Sequence, residues 1–285
     1  MLAPQSRLLS DGRRLHLQHG PIDLIIEVWG ENRDEAYAAA TSRFQYILQE
    51  LVDELPTLRS EARLNRPFDG PTARRMQAAV EPYVPDTFVT PMAAVAGAVA
   101  DEILSTMRTS TNFEKAYVNN GGDTAFHLTT EEKIDALLFG PLASRITVTG
   151  HTPCRGIATS GWQGRSHSLG IADTVTVAAC NAASADVAAT LIANSVDLPG
   201  HPEVERSPAT EISPDSDLGE RPVTTRVGVL SQMDVANALD AGLKFAERIL
   251  ARQLIAGALL SLRSETRIVG MTDQIVINER NLLNE

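Results

Sequence analysis

Residues 155–177 read RGIATSGWQGRSHSLGIADTVTV, and the way this stretch divides decides the fold. Arg155–Ala158 and the run from Ile171 to Ala178 carry the Ile, Val and Thr that suit a half-buried strand. Between them, Thr159 to Gly170 mixes glycines with hydroxyl residues and breaks every regular period, which makes it a loop held on a rigid frame. The same texture begins at Ala116, so several strands separated by turns are expected over 116–177.

Upstream, Arg13–Gln18 and Asp23–Val28 read as strands joined at His19-Gly20-Pro21, an opening hairpin. From Asn32 to Leu55, Ala36, Ala40, Phe44, Ile47, Leu48, Leu51 and Leu55 recur at the spacing of an amphipathic helix, and Pro56 stops it. Thr72–Val80 and the Ala- and Gly-rich Pro91–Met107 predict two more helices, and Ala182–Ser195 another. Residues 199–222 are acidic and rich in Pro and Ser, and are expected to form an exposed loop. A strand (Thr224–Leu230), a long helix (Met233–Ser264) and two closing strands (Thr266–Val269, Gln274–Ile277) complete the chain. Helices and strands do not alternate regularly, so the expected class is α+β, a mostly antiparallel sheet with helices packed on one face, in a single domain.

The 285 residues, 43% of them hydrophobic, suffice for a sizeable core. A formal net charge of −11 works against any partner that must have its phosphate backbone neutralised, so nucleic acid is not expected. A small anionic ligand is compatible, because a few local donors suffice to hold it. The 2 cysteines, Cys154 and Cys180, lack the spacing of a zinc site and read as buried, reduced thiols. The N-terminus lacks the basic start and apolar core of a signal peptide. The apolar stretch Ile249–Leu262 is interrupted by Arg252 and Gln253 and falls short of the roughly 18 residues a bilayer span requires. A soluble, cytoplasmic protein without a membrane partner is the expectation.

Three constellations carry the candidate chemistry. In NNGGD, Asn119, Asn120, Gly121, Gly122 and Asp123 place carboxamides, a carboxylate and exposed backbone N–H groups at the end of a β run. The same string also makes an ordinary hairpin turn. In the loop 159–170, Thr159, Ser160, Gly161 and Arg165 offer donors to an anion, and His167 brings an imidazole, a side-chain type suited to proton transfer; a surface turn is the plainer alternative. Asp173 in ADTVTV and Asp186 in ADVAAT are carboxylates among small apolar residues, costly to bury unless paired or bound to a metal. Asp186 and Thr190 stand at i, i+4, so a helix brings two hard oxygen donors suited to Mg²⁺ onto one face. Helix-dipole compensation by Asp186 is the competing explanation.

The succession NNGGD, IATSG, a His-containing loop, a β run with an aspartate and then AD-x-x-x-T resembles the ApbE-like superfamily, the FAD:protein FMN transferases, over roughly Ala93–Val196. The stretches Arg13–Glu27, Met92–Asp101 and Gly164–Val177 look similar to that superfamily's relatives in uncharacterised protein family 0280. The resemblance implies a T-fold-like architecture, a flavin- or nucleotide-shaped pocket lined by Gly121–Asp123 and Thr159–Gly161, and Mg²⁺ at Asp186 and Thr190. By analogy with T-fold assemblies a homo-oligomer is expected; in such a pocket, side-chain chemistry gives the proton-moving role to Asp173 or His167. FMN transferases carry His-x-x-Asp-Pro-Arg-Thr-Gly where this chain has HSLGIAD (His167–Asp173). The expected function is therefore binding of a small anionic, nucleotide- or flavin-like ligand, in a transferase-type enzyme that does not itself transfer FMN to protein. The alternative is a non-catalytic flavin- or ligand-binding subunit for a redox or sulfur-metabolism partner.

Overall fold

The computed structural model describes residues 3–138, 143–164, 166–271 and 275–278. They cluster into two compact units. The first comprises the described residues up to Lys133 with Thr149–Ala158 and Cys180–Val187; the second comprises Ile134–Val148, Thr159–Ala179 and the chain from Ala188 onward.

In the first unit, β1 (Gln5–Leu8), β2 (Leu15–His19) and β3 (Ile22–Trp29) form an antiparallel meander. β4 (Lys115–Asn120), β5 (Asp123–Leu128) and β8 (Gly156–Ser160) continue it in the order β1-β2-β3-β4-β5-β8. Helix α1 (Arg33–Asp53), the short α2 (Leu55–Leu58), α3 (Pro71–Val80) and α4 (Val95–Ser110) lie between β3 and β4 in the chain. The register pairs Leu24 with Asn120, Ile26 with Val118, Val118 with Ala125 and Asn120 with Asp123. Because strand side chains alternate faces, these residues share one face, and α4 packs on β4 and β5. Phe44, Ile47, Met76, Ile103 and Met107 are buried there. Each such burial removes enough apolar surface from water to contribute roughly 1.5–3 kcal/mol before entropy is subtracted.

In the second unit, β9 (Thr174–Ala179), β12 (Gly257–Leu262) and β13 (Glu265–Gly270) pair antiparallel in the order β9-β12-β13. Helix α7 (Gln232–Ala251) packs on β12 and β13 and begins with a Ser231–Asp234 capping box. Helix α5 (Ala182–Ser195) starts in the first unit's sequence and ends in the second's. β6 (Lys133–Leu138), β7 (Ala143–Thr149) and β14 (Ile275–Asn278) form a three-stranded sheet. The class is α+β with a mostly antiparallel sheet: every strand pair whose register is described is antiparallel.

Two segments differ from expectation. The helix expected over Met233–Ser264 ends at Ala251, and Gly257–Leu262 is a strand buried at every position. A short, continuously apolar run reads alike as buried helix or buried strand, and the positive φ of Gln253 separates the two elements. The acidic stretch expected as an exposed loop contains β10 (Val204–Pro208) and the one-turn α6 (Ala209–Ile212). β10 pairs with β11 (Pro222–Val227), and its charges find partners: Arg206 binds Asp197, and Glu205 binds Arg226 at 2.5 Å. No described helix is long and apolar enough to cross a membrane.

Candidate functional site

Gly121 and Gly122 connect β4 to β5, and both take positive φ, at 64° and 120°, as a two-residue hairpin turn requires. The turn sets Asn120 and Asp123 opposite each other on the helix-covered face. Asn120 Nδ2 donates to the Ala96 carbonyl at 3.1 Å, tying the hairpin to the start of α4. Asn119, by strand alternation, stands on the other face, where its Nδ2 donates to Thr124 Oγ1 at 2.8 Å. The two carboxamides that sequence groups together are thus separated by the sheet.

The start of α4 meets the start of α5. A Cβ at Gly97 would lie 2.3 Å from the Ala182 carbonyl oxygen, so only glycine permits this approach. The two helices then exchange carboxylates. Asp101 of α4 accepts from the backbone N–H of Ala182 at 3.1 Å and of Ala183 at 2.8 Å. Asp186 of α5 accepts from the N–H of Gly97 at 3.0 Å, with Ala96 also donating to it. Each helix thereby caps the free N–H groups and the positive dipole end of the other.

Electrostatically this corner is strained. Burial first, then the nearby charge of Asp123, push Asp186 well above the usual carboxylate range; the Gly97 and Ala96 N–H groups pull it down, and Asp101 adds repulsion. Burial raises Asp101 to about 6 against the N–H bonds from Ala183 and Ala182 and the more distant charge of Arg75. The adjacent Glu102 is handled differently: burial opposes its charge, but Arg43 and Arg75 bind it at 2.8 and 2.9 Å and leave its pKa lowered. Asp186 forms no ion pair among the described residues.

The second unit gathers another set of predicted residues. Thr159 and Thr176 share a hydroxyl–hydroxyl hydrogen bond of 2.8 Å. The Trp162 N–H donates to the Ala172 carbonyl at 3.0 Å, closing the base of the loop, with Gly161 packed against the Asp173 backbone. Both oxygens of Asp173 are used: Oδ1 accepts from Trp162 Nε1 at 3.2 Å and Oδ2 from the backbone N–H of Arg263 at 2.5 Å. Asp173 thus ties the loop to the turn between β12 and β13. Further along the loop, Asn194 Oδ1 accepts from Ser168 Oγ and the Leu169 N–H. Ser160 and His167 are half-buried, and so is Thr190, one turn beyond Asp186 on α5. Arg165 lies outside the described residues.

Sequence reasoning did not single out Asp101, Trp162 or Asn194. The available signal for Asp101 was a carboxylate ending the apolar run MAAVAGAVAD, where burial demands a partner. A separate cleft of about 380 Å³, lined by Arg13, Glu27, Trp29 and Arg33 among others, contains none of the candidate site residues. Its Glu27 is already bound by Arg13 at 2.6 Å.

The carboxylates of the first unit's corner are oxygen donors of the chemistry a hard divalent cation takes. Among the described residues no group of three or more His, Cys, Asp and Glu side chains is arranged to hold a metal. Mg²⁺, however, commonly uses one or two carboxylates and completes its shell with water and ligand phosphate. Asp186 and Asp123 raise the free energy of each other's charged forms, and a bound divalent cation reverses that penalty.

A family model described as AbpE bacteria matches residues 6–268. A UPF0280 protein of Methanothermobacter thermautotrophicus is 39% identical over 117 residues, covering 39% of this chain and 44% of that protein. The match therefore spans less than half of that relative's length. The crystal structure of the apo form of Pseudomonas stutzeri flavinyl transferase ApbE superposes with a TM-score of 0.46 and 11% identity, covering 94% of this chain and 95% of that one.

Proposed function

We propose, because the chain belongs to the AbpE bacteria family, that it binds a small anionic ligand of the nucleotide or flavin type with Mg²⁺ held at Asp186. The observation that carries the reading is the half-buried Asp186 carboxylate, held by the backbone N–H groups of Gly97 and Ala96 within the field of Asp123 and Asp101. Carboxylates perturbed by burial and by a neighbouring like charge gather at binding and catalytic sites. Asp186 and Asp123 would hold the metal; Thr190, the other oxygen donor expected from sequence, belongs to the second unit's part of α5. Bound there, Mg²⁺ supplies charge neutralisation for a ligand phosphate. The N–H groups of the Gly121–Gly122 turn are suited to approach the same anion closely. In the second unit, the loop between β8 and β9 offers the hydroxyls of Thr159 and Ser160, with Arg165 and His167 in the anion-binding and proton-transferring roles their chemistry suits. Asp173, with both oxygens engaged, holds Trp162 and the loop base in place. The HSLGIAD sequence lacks the Asp-Pro-Arg-Thr-Gly segment of FMN transferases, so transfer of FMN to protein is not part of the proposal.

Thermal unfolding with and without Mg²⁺, alone and with FAD, FMN or ADP, tests this. A ligand that binds only the folded state at 100 times its Kd adds about 2.7 kcal/mol. Mg²⁺ is expected to raise the melting temperature of the wild type and not that of Asp186→Asn. Equal melting temperatures with and without Mg²⁺ in both proteins would remove the metal from the site.

A further inference from the structure

We infer that Asp101 is a positioning residue for the cation site, holding Asp186 in place through the start of α5. The inference rests on the proposed cation at Asp186 and deepens it.

The geometry has an internal symmetry. Gly97 and Asp101 stand at i, i+4 on α4, and Ala182 and Asp186 stand at i, i+4 on α5. Gly97 donates its N–H to Asp186, and Ala182 donates its N–H to Asp101. Since residues four apart share a helix face, the two faces grip each other through one carboxylate in each direction. Asp101 also accepts from Ala183, so its two oxygens fix two consecutive peptide groups and with them the rotation of the first turn of α5. Asp186 projects from the next turn of that helix. A rotation of the first turn therefore swings the Asp186 carboxylate away from Asp123 and from the Gly97 N–H.

A second observation separates Asp101 from an ordinary cap. The N-cap position of α5 already has a local acceptor, Asn181 Oδ1, which takes the Ser184 N–H at 2.7 Å. Asp101 reaches across from another helix to bind the two preceding N–H groups. Its charge is close enough to Asp186 to be felt there. A cation on Asp186 would gain electrostatically from Asp101 without direct contact, as outer carboxylates around metal ligands do.

The test uses the full-length protein and Mn²⁺ as the probe, with free Mn²⁺ read by electron paramagnetic resonance. Asp101→Ala is expected to weaken Mn²⁺ binding by roughly 10–100-fold, the usual effect of removing an outer-shell partner. Asp101→Asn keeps one acceptor and should bind at an intermediate level, and being isosteric it serves if Asp101→Ala does not fold. Asn181→Ala removes a cap bond from the same helix turn without touching the exchange, and is expected to lower the melting temperature while leaving Mn²⁺ affinity unchanged. Wild-type affinity in both Asp101 variants would overturn the inference. So would an equal loss in Asn181→Ala, which would show that any loosening of α5 suffices. A wild type that does not bind Mn²⁺ would sink the cation reading itself and this inference with it; binding by the wild type that is indifferent to Asp101 would sink this inference alone.

Discussion

Replacing Asp101 by Asn should change how stability depends on pH, and the size of the change follows from its surroundings. In the fold the Asp101 carboxyl titrates at about 6, against 3.8 for an unperturbed aspartate. A carboxyl whose pKa is raised by folding keeps its proton in the native state where the unfolded chain loses it. Its contribution is therefore least unfavourable at low pH and becomes progressively destabilising as pH rises from below 4 through 6. Linkage puts the penalty at about 3 kcal/mol at pH 7 and about 1 kcal/mol at pH 4.5. Asparagine has no such penalty, and its loss of one backbone acceptor is independent of pH. The stability of Asp101→Asn relative to wild type should improve by about 2 kcal/mol between pH 4.5 and pH 7, or roughly 4–8 °C in melting temperature for a chain of this size. Circular dichroism melts in metal-free buffer at the two pH values measure it. Taking the difference between the two proteins removes the opposing effect of His127, whose pKa burial lowers. A difference that does not change with pH would show that Asp101 is not held in the half-buried, weakly compensated environment described.

Two further outcomes are expected. Gly97→Ala places a Cβ 2.3 Å from the backbone oxygen of Ala182, which must move; a loss of about 1–3 kcal/mol in urea unfolding is expected, and a neutral result would refute the close approach of the two helices. Asp173→Asn can still accept one of the two bonds now made by Asp173, so Trp162 should gain motion. With only 2 tryptophans in the chain, the emission of a Trp29→Phe background reports Trp162 alone, and unchanged emission and anisotropy on adding Asp173→Asn would show that the bond does not hold the ring.

The parts of the fold legible in the sequence are those with a clear period or stop. α1 follows the spacing of Ala36, Ala40, Phe44 and Ile47, and α5 spans the expected Ala182–Ser195 because a polar Asn181 precedes an apolar run. β12 was not legible: GALLSL is buried throughout and lacks the alternation that marks a strand. At the candidate site, composition identified NNGGD and ADVAAT but not their geometry. Strand alternation puts Asn119 and Asn120 on opposite faces, a consequence of register that residue types do not reveal. Asp101 and Asp186 are 85 positions apart in the numbering, and their relation arises only once two helix starts are packed together.

A divalent cation, rather than another occupant, is proposed for that corner on the ground of the charge gathered there. Asp101, Asp123 and Asp186 bring three carboxylates toward two helix N-termini. Each helix start contributes about half a positive charge, so with all three ionised the local balance is about −2. An anionic ligand arriving alone would meet that field and be repelled by it. Protons relieve it in part: burial raises both Asp186 and Asp101, and at Asp186 the charges of Asp123 and Asp101 add to it. A cation of charge two relieves it fully, and presents its remaining coordination positions to a phosphate. On the proposed reading, the acidic corner would become an anion site only after a metal has bound. Metal would then precede ligand in binding, and saturating Mg²⁺ should raise the affinity for ADP in a titration, with equal affinity in its absence refuting the order.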